Sequence, residues 1–468
     1  MDPLHLSQRL GRWSAGRGPL RVLLAARLRA LIDDGDLPAG VLLPPDRALA
    51  AALAVGRGTV VAAYDQLSVE GRVVRRQGSG TRVAGRAVEE PRPTTDAPTF
   101  LHLVEPRDGV ILLACAAPDA PPPELVDAYG RVGPALAALR GDIGYHPLGL
   151  PVLRRAVADR FTRRGTPTSV DQVMVTTGGQ QALSLLARAL LRPGDRVVVE
   201  APTYSGALEA FRDQAAVPVG LPVGLAGFEA AVRARPALAY VVPVFHNPTG
   251  SVLSALRRRR LADVAAAAGV PLVEDEALVD LAFPGADPPP VDQGDRVITT
   301  GSLSKVVWAG LRVGWVRAPA ALITRLARLR AVHDLGGNVP AQLVAADLLP
   351  TLEPLRARQA ALREAAHDHL RAELAAHLPT WHAPPVPGGQ TLWIGLPHGD
   401  AASFAQTALR HGVAVLPGAS LGGPADHLRV HFVFPPDVLS EAVRRLAAAW
   451  RAYDPPAERV SPAPGIAV

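Results

Sequence analysis

Lys305 is the residue to start from, because the chain has 49 basic side chains and every other one is an arginine. In a composition rich in Ala, Arg, Pro and Gly, arginine serves wherever only a positive charge is needed. A lysine retained against that trend suits a position where the amine must lose its proton and react, which guanidinium cannot do. Its surroundings, TTGSLSKVVWAGLRVGW, put Ser302, Ser304 and Arg312 close by in sequence. Two hydroxyls and a guanidinium near an amine would hold a phosphate dianion while the amine condenses with an aldehyde. Four further segments carry matching chemistry. TTGGQQAL offers the backbone amides of Gly178, Gly179 and Gln180 to an anion at a helix start. Tyr204, after EAPT, presents an aromatic face to a flat ring. HNPTG places Asn247 before a proline turn, and VEDEALVDL places Asp275 at the end of a very apolar run, where it could pair with a protonated ring nitrogen. Singly, each has a plainer role: a tight turn, ordinary packing, a helix cap. Together, phosphate, flat basic ring and aldehyde describe pyridoxal 5′-phosphate.

The elements that must position these residues are legible as apolar runs (VMVTT, RVVVE, VPVGLPV, LAYVVP, VPLVED, RVITT, RVGWV) alternating with helical patterns. This predicts an α/β fold with a mostly parallel sheet, chemistry gathering at the carboxyl ends of its strands. A smaller C-terminal α+β part is expected, so that residues 110–455 divide into a large part of about 145–345 and a small part of about 346–455. Residues 86–109, rich in Pro and charge and without a period, read as a linker.

Residues 1–90 hold 13 arginines and 9 acids, net +4 of the chain's +6. That asymmetry suits a polyanion partner, although a solvated basic face gives the same count. Leu20, Leu23, Leu24, Leu28, Leu31 and Ile32 recur at helical spacing. A short helix near Arg47–Leu53, a turn at Ala54–Gly56 and a second helix over Arg57–Val69 form a helix-turn-helix pattern, and RVVRRQGSGTRVAG reads as a hairpin wing. At 48% apolar and 20% charged residues, wholesale disorder is excluded. Cys115 has no partner for an internal disulfide, and nothing near Met1 resembles a secretory signal, so a cytoplasmic setting is expected. No membrane span is expected, since the longest apolar runs fall short of about 20 residues.

Over residues 18–85 the ordered segments GDLPAG, LPPDR, LAVGRGTV, AYDQLSVEG and GSGT resemble the GntR family of bacterial repressors. The resemblance implies double-stranded DNA as partner. Arg47, Arg57 and Thr59 would approach it at the recognition helix, and the wing would add Arg75, Arg76 and the backbone of Gly78 and Gly80. Ser is usual where Asp46 and Gly56 stand, so two phosphate-binding hydroxyls are missing.

Over about 110–450 the chain resembles fold-type I aminotransferases of class I/II, with Lys305 on the lysine that links to the cofactor. The resemblance implies Asp275 at the pyridine nitrogen, Asn247 at the ring 3′-oxygen and Tyr204 against the ring. It implies Gly178, Gly179, Gln180, Ser302, Ser304 and Arg312 around the phosphate. Arg429 in HLRVHF would take an amino-acid carboxylate, and Tyr145 in GYHPLG would reach the phosphate of a partner subunit, hence a homodimer. A tyrosine usual two or three positions after the aspartate is replaced by Ala277 and Leu278, which implies altered cofactor electronics. The two halves together resemble the MocR family. The resemblance implies a transcription regulator sensing pyridoxal phosphate or an amino compound. A working aminotransferase carrying a DNA-binding head, and a DNA-binding protein whose large domain only dimerises, are the alternatives.

Overall fold

The computed structural model describes most of residues 18–453. Most of residues 1–17, positions 35, 39, 77–79, 85–108, 116, 117, 119, 289, 290, 292, 293 and 454–468, and the side chain of Arg76, lie outside the described residues. The wing tip with Gly78 and nearly all of the expected linker fall there. The chain separates into two compact units, Met1–Ala97 and Pro98–Val468.

In the first unit, α1 (Leu20–Asp33) buries Leu24, Ala25, Leu28 and Leu31, the three-to-four spacing that puts side chains on one helical face. Helices α2 (Asp46–Ala52) and α3 (Arg57–Val69) follow, their axes turning by 120°. Ala54 in the turn between them has φ 53°, the left-handed conformation that reverses the chain tightly. Val60, Ala63, Tyr64 and Leu67 of α3 are buried, and the Tyr64 hydroxyl donates to the Pro44 carbonyl at 3.0 Å, tying α3 to the start of α2. Strands β1 (Val73–Arg76) and β2 (Gly80–Val83) pair antiparallel, Val73 opposite Val83 and Arg76 opposite Gly80, as a wing requires.

The second unit is built on a seven-stranded sheet. In chain order its strands are β4 (Val173–Thr176), β5 (Arg196–Ala201), β6 (Val217–Pro222), β7 (Leu238–Val241), β8 (Leu272–Asp275), β9 (Val297–Ser302) and β10 (Gly314–Arg317), and in space β4-β10-β9-β8-β7-β5-β6. Strands β5 to β9 pair in parallel, and β10 runs antiparallel to both neighbours. Strands β4, β7, β8 and β9 are buried along their whole length, which is why their apolar residues come consecutively rather than alternating, with polar residues toward the carboxyl ends of β8 and β9. Helix α4 (Gly179–Leu190) opens directly from the turn after β4, and α5 (Ser205–Asp213) from the turn after β5.

A smaller antiparallel sheet follows, of order β11 (Thr391–Gly395), β14 (His427–His431), β13 (Leu416–Pro417). The long helix α6 (Glu353–His377) and α7 (Pro436–Ala452) bury Leu370, Leu374, Val443 and Leu446 in one cluster with Leu392, Ile394 and Val430 of that sheet. The segment entering the unit, β3 (Ile111–Leu112), pairs in parallel with β12 (Val413–Ala414). That pairing delivers the following residues, Leu113 to Cys115, to the side of β14. The Leu113 carbonyl accepts the His431 amide at 2.8 Å.

Candidate functional site

The residues singled out in the large unit converge on one edge of the seven-stranded sheet. Gly178 and Gly179 follow β4, Tyr204 follows β5, Asn247 lies beyond β7, Asp275 ends β8, and Ser302 ends β9 with Ser304 and Lys305 after it. Because β10 is antiparallel, its start lies at that same edge, and Arg312 stands just before it; Gly314 pairs with both Ser302 and Thr176.

Around the expected phosphate position, Gly178 adopts φ +110°, and a Cβ there would come within 3.0 Å of the Arg312 guanidinium. Glycine is therefore required both for its backbone angle and for the room it leaves. Arg312 itself has φ +55°, an uncommon conformation for a long side chain and one that clusters at ligand sites. The Ser302 hydroxyl donates to Ser304 Oγ at 2.9 Å and accepts the Ser304 amide at 3.1 Å. Gln180 faces elsewhere: its Nε2 donates to the Gly206 carbonyl at 2.8 Å and its Oε1 accepts the Tyr204 hydroxyl at 3.0 Å, leaving its backbone for the cradle. A Cβ on Gly206 would lie 2.5 Å from the Tyr204 ring, so that glycine makes room for the ring at the start of α5.

Asp275 is buried, its Oδ2 accepting the Tyr240 hydroxyl at 2.9 Å and its Oδ1 the Ala277 amide at 3.0 Å. Burial pushes its carboxyl above the usual range, which these two hydrogen bonds only partly offset. A positive partner is what such a carboxylate needs in order to ionise. Lys305 keeps some exposed surface, yet desolvation of its amine lowers the pKa to about 8 against Cys115 and Asp275, which raise it; Arg429 and Arg312 add to the lowering. Arg429 is buried. Its Nη1 donates to Asn247 Oδ1 at 3.3 Å, its Nη2 to the Ala114 carbonyl, and its Nε has no hydrogen-bond partner. Burial lowers its pKa to about 10, leaving it charged at neutral pH.

Four supporting residues escape a reading of the sequence. Tyr240 steadies Asp275 from the neighbouring strand. Glu200, fully buried at the end of β5, accepts the amides of Gly224 and Val242 at 2.8 Å each and lies 3.3 Å from His246 Nε2. His246 Nδ1 in turn meets Thr249 Oγ1 at 2.9 Å, so the residue before Asn247 is held from both sides. His431 shares a face of β14 with Arg429, two positions on. Its Nδ1 faces the Gln390 carbonyl at 2.7 Å, and burial lowers its pKa to about 3, so it is a neutral ring.

In the first unit Arg47 and Arg57 are exposed and Thr59 is half-buried at the start of α3. Gly80 is exposed with φ +83°. Arg75 is turned inward, its Nη2 3.1 Å from Asp46 Oδ1 and its Nη1 on Asp65, with its guanidinium 5.9 Å from the Tyr64 ring centre. Tyr145 is 61% exposed, on a loop whose next residue, His146, packs its carbonyl against Gly336.

Residues 110–446 match the family described as aminotransferase class I and II, and residues 21–83 match bacterial regulatory proteins of the gntR family. The uncharacterised HTH-type transcriptional regulator YdcR of Escherichia coli is 30% identical over 84% of this chain and 90% of its own length. The probable rhizopine catabolism regulatory protein MocR of Rhizobium meliloti is 32% identical over 70% of this chain and 71% of its own. The chain belongs to the MocR family. Like other MocR-type regulators it joins a GntR-type helix-turn-helix to an aminotransferase-like domain whose cofactor is pyridoxal 5′-phosphate. Among solved structures, the α-aminoadipate aminotransferase LysN of Thermus thermophilus superposes with a TM-score of 0.66 at 28% identity, covering 76% of this chain and 95% of that one. The residues of this MocR-type chain fit the cofactor: a buried carboxylate short of a cation, a glycine turn kept open beside Arg312, and a lysine whose amine is readily deprotonated. Among the described residues no single helix is long and apolar enough to cross a membrane.

Proposed function

We propose that this regulator, working as a cytoplasmic homodimer, senses an amino compound bearing a carboxylate at its pyridoxal phosphate site and changes its grip on DNA in response. The observation that carries the reading is Arg429: a buried, charged guanidinium that commits two nitrogens to Asn247 and Ala114 and keeps Nε unpartnered. A buried arginine with an unused donor suits a carboxylate ligand. Asn247, held by Arg429, would donate its amide to the ring 3′-oxygen, Asp275 would hold the ring nitrogen, and Tyr204 would lie against the ring. The amides of Gly178, Gly179 and Gln180, with Ser302, Ser304 and Arg312, would hold the phosphate. Bound there, pyridoxal phosphate supplies an aldehyde and an electron-withdrawing ring. Lys305 would be the residue that holds the aldehyde, its amine about half neutral at pH 8. Ala277 and Leu278 leave the usual tyrosine donor missing, which favours binding over turnover.

On the DNA side, exposed Arg47 and Arg57, with Thr59 and the wing backbone at Gly78 and Gly80, would contact the duplex, and Arg76 would add a wing charge. Arg75, already neutralised, would brace the wing instead. The dimer is supported by the exposure of Tyr145 and of two apolar side chains elsewhere on this unit, Ile143 at 81% and Val332 at 82%. The retained Lys305, Asp275 and Asn247 favour a second reading, a working aminotransferase. The test is an absorption spectrum of the holoprotein titrated with amino acids, with keto acid assayed in parallel. A spectral shift and altered duplex affinity without keto acid are expected; rapid keto-acid formation with no effect on duplex binding would select the enzyme.

A further inference from the structure

The surface assigned to DNA includes a carboxylate, which phosphate should repel. Asp46 is the first residue of α2, and its side chain is 20% exposed. Its two oxygens lie 3.1 and 3.2 Å from Arg75 Nη2, and Oδ2 lies 4.0 Å from Nη2 of Arg57, the first residue of α3. Arg75 also holds Asp65 of α3 through its other terminal nitrogen. Two cations and two carboxylates thus form a neutral cluster across α2, α3 and β1. Arg57, with 57% of its side chain exposed against 31% for Arg75, is the more open of the two cations.

Resting on the DNA-binding reading above, we propose that Asp46 determines specificity by restraining Arg57. It cancels the charge that would otherwise bind any phosphate, and it holds the guanidinium toward α2 until a matched groove offers a better acceptor. Both oxygens of Asp46 are engaged by Arg75, so the carboxylate is poorly placed to read a base amino group itself. The restraint on Arg57 need not be strong. An exposed pair at 4.0 Å contributes at most about fivefold to an equilibrium, enough to change discrimination and too little to prevent binding. The larger effect is on non-specific binding, which is almost wholly electrostatic and scales with the number of phosphates neutralised.

The experiment uses the full chain, a duplex of random sequence, and a duplex site selected by the wild-type protein from a random library. Asp46→Asn keeps size and removes charge. It should tighten random-duplex binding about three- to fivefold at moderate salt, and steepen the log–log salt dependence by about 0.9 for the phosphate newly neutralised. Affinity for the selected site should rise less, so the ratio between the two falls. In an Arg57→Ala background the gain should vanish. Asp65→Asn, which removes a carboxylate that touches Arg75 and not Arg57, should leave random-duplex affinity within about twofold. Loss of selected-site affinity in Asp46→Asn without any gain on random duplex would make Asp46 a base reader and overturn the proposal. So would an unchanged salt slope, or a gain that survives Arg57→Ala. A wild-type protein that binds no duplex at low salt would instead refute the DNA-binding reading.

Discussion

Desolvation brings the Lys305 amine from its ordinary 10.5 down to about 8, so the neutral, nucleophilic fraction grows between pH 6 and 8 and is nearly complete by pH 9. Covalent capture of pyridoxal phosphate should therefore accelerate about tenfold per pH unit up to about 8 and then level off, followed by stopped-flow absorbance. A rate still climbing toward pH 10 would mean an amine in contact with water. Lys305→Ala should leave no borohydride-fixable cofactor, read by intact mass, because no second ε-amine exists to replace it. Arg429→Ala should abolish the response to amino acids while cofactor still binds, read as an unchanged spectrum on titration. If the response persists, the ligand is not gripped by its carboxylate and pyridoxal phosphate itself becomes the signal.

Helix α3 depends on one buried polar contact, the Tyr64 hydroxyl on the Pro44 carbonyl at 3.0 Å. Tyr64→Phe leaves that carbonyl without this donor, a loss of about 1–2 kcal/mol. Amides of α3 should then exchange with solvent about 5- to 30-fold faster, while those of β7 and β8 keep their rates. At the same scale, Arg47→Ala and Arg57→Ala should each weaken duplex binding and flatten its salt dependence, measured by fluorescence anisotropy across a salt series. Strands β4, β7, β8 and β9 were readable because strands buried on both faces carry consecutive apolar residues, and α1 because its leucines keep one helical face. Lys305 was readable because it is the one lysine in an arginine-rich chain. What stayed hidden were contacts between distant segments. Arg429 reaches Ala114, 315 positions away, through the pairing of β3 with β12, and no local period encodes that. The inward turn of Arg75 was hidden for a similar reason. Sequence shows its charge, but only the fold brings Asp46 and Asp65 to it.

Across the whole molecule, DNA and effector must influence each other equally if both readings hold. Whatever factor an amino compound imposes on duplex affinity, saturating duplex should impose on the affinity for that compound. Calorimetry in both orders checks this, and unequal factors would mean that a third process, such as a change of oligomeric state, is coupled to one of the two events. The solitary lysine has a separate practical consequence. With its amine titrating near pH 8 in a chain of 468 residues, an amine-selective acylating reagent has only one side-chain amine to modify. Protection of that single position by bound cofactor turns ordinary peptide mass mapping into an occupancy gauge, usable in a crude extract where no chromophore could be seen.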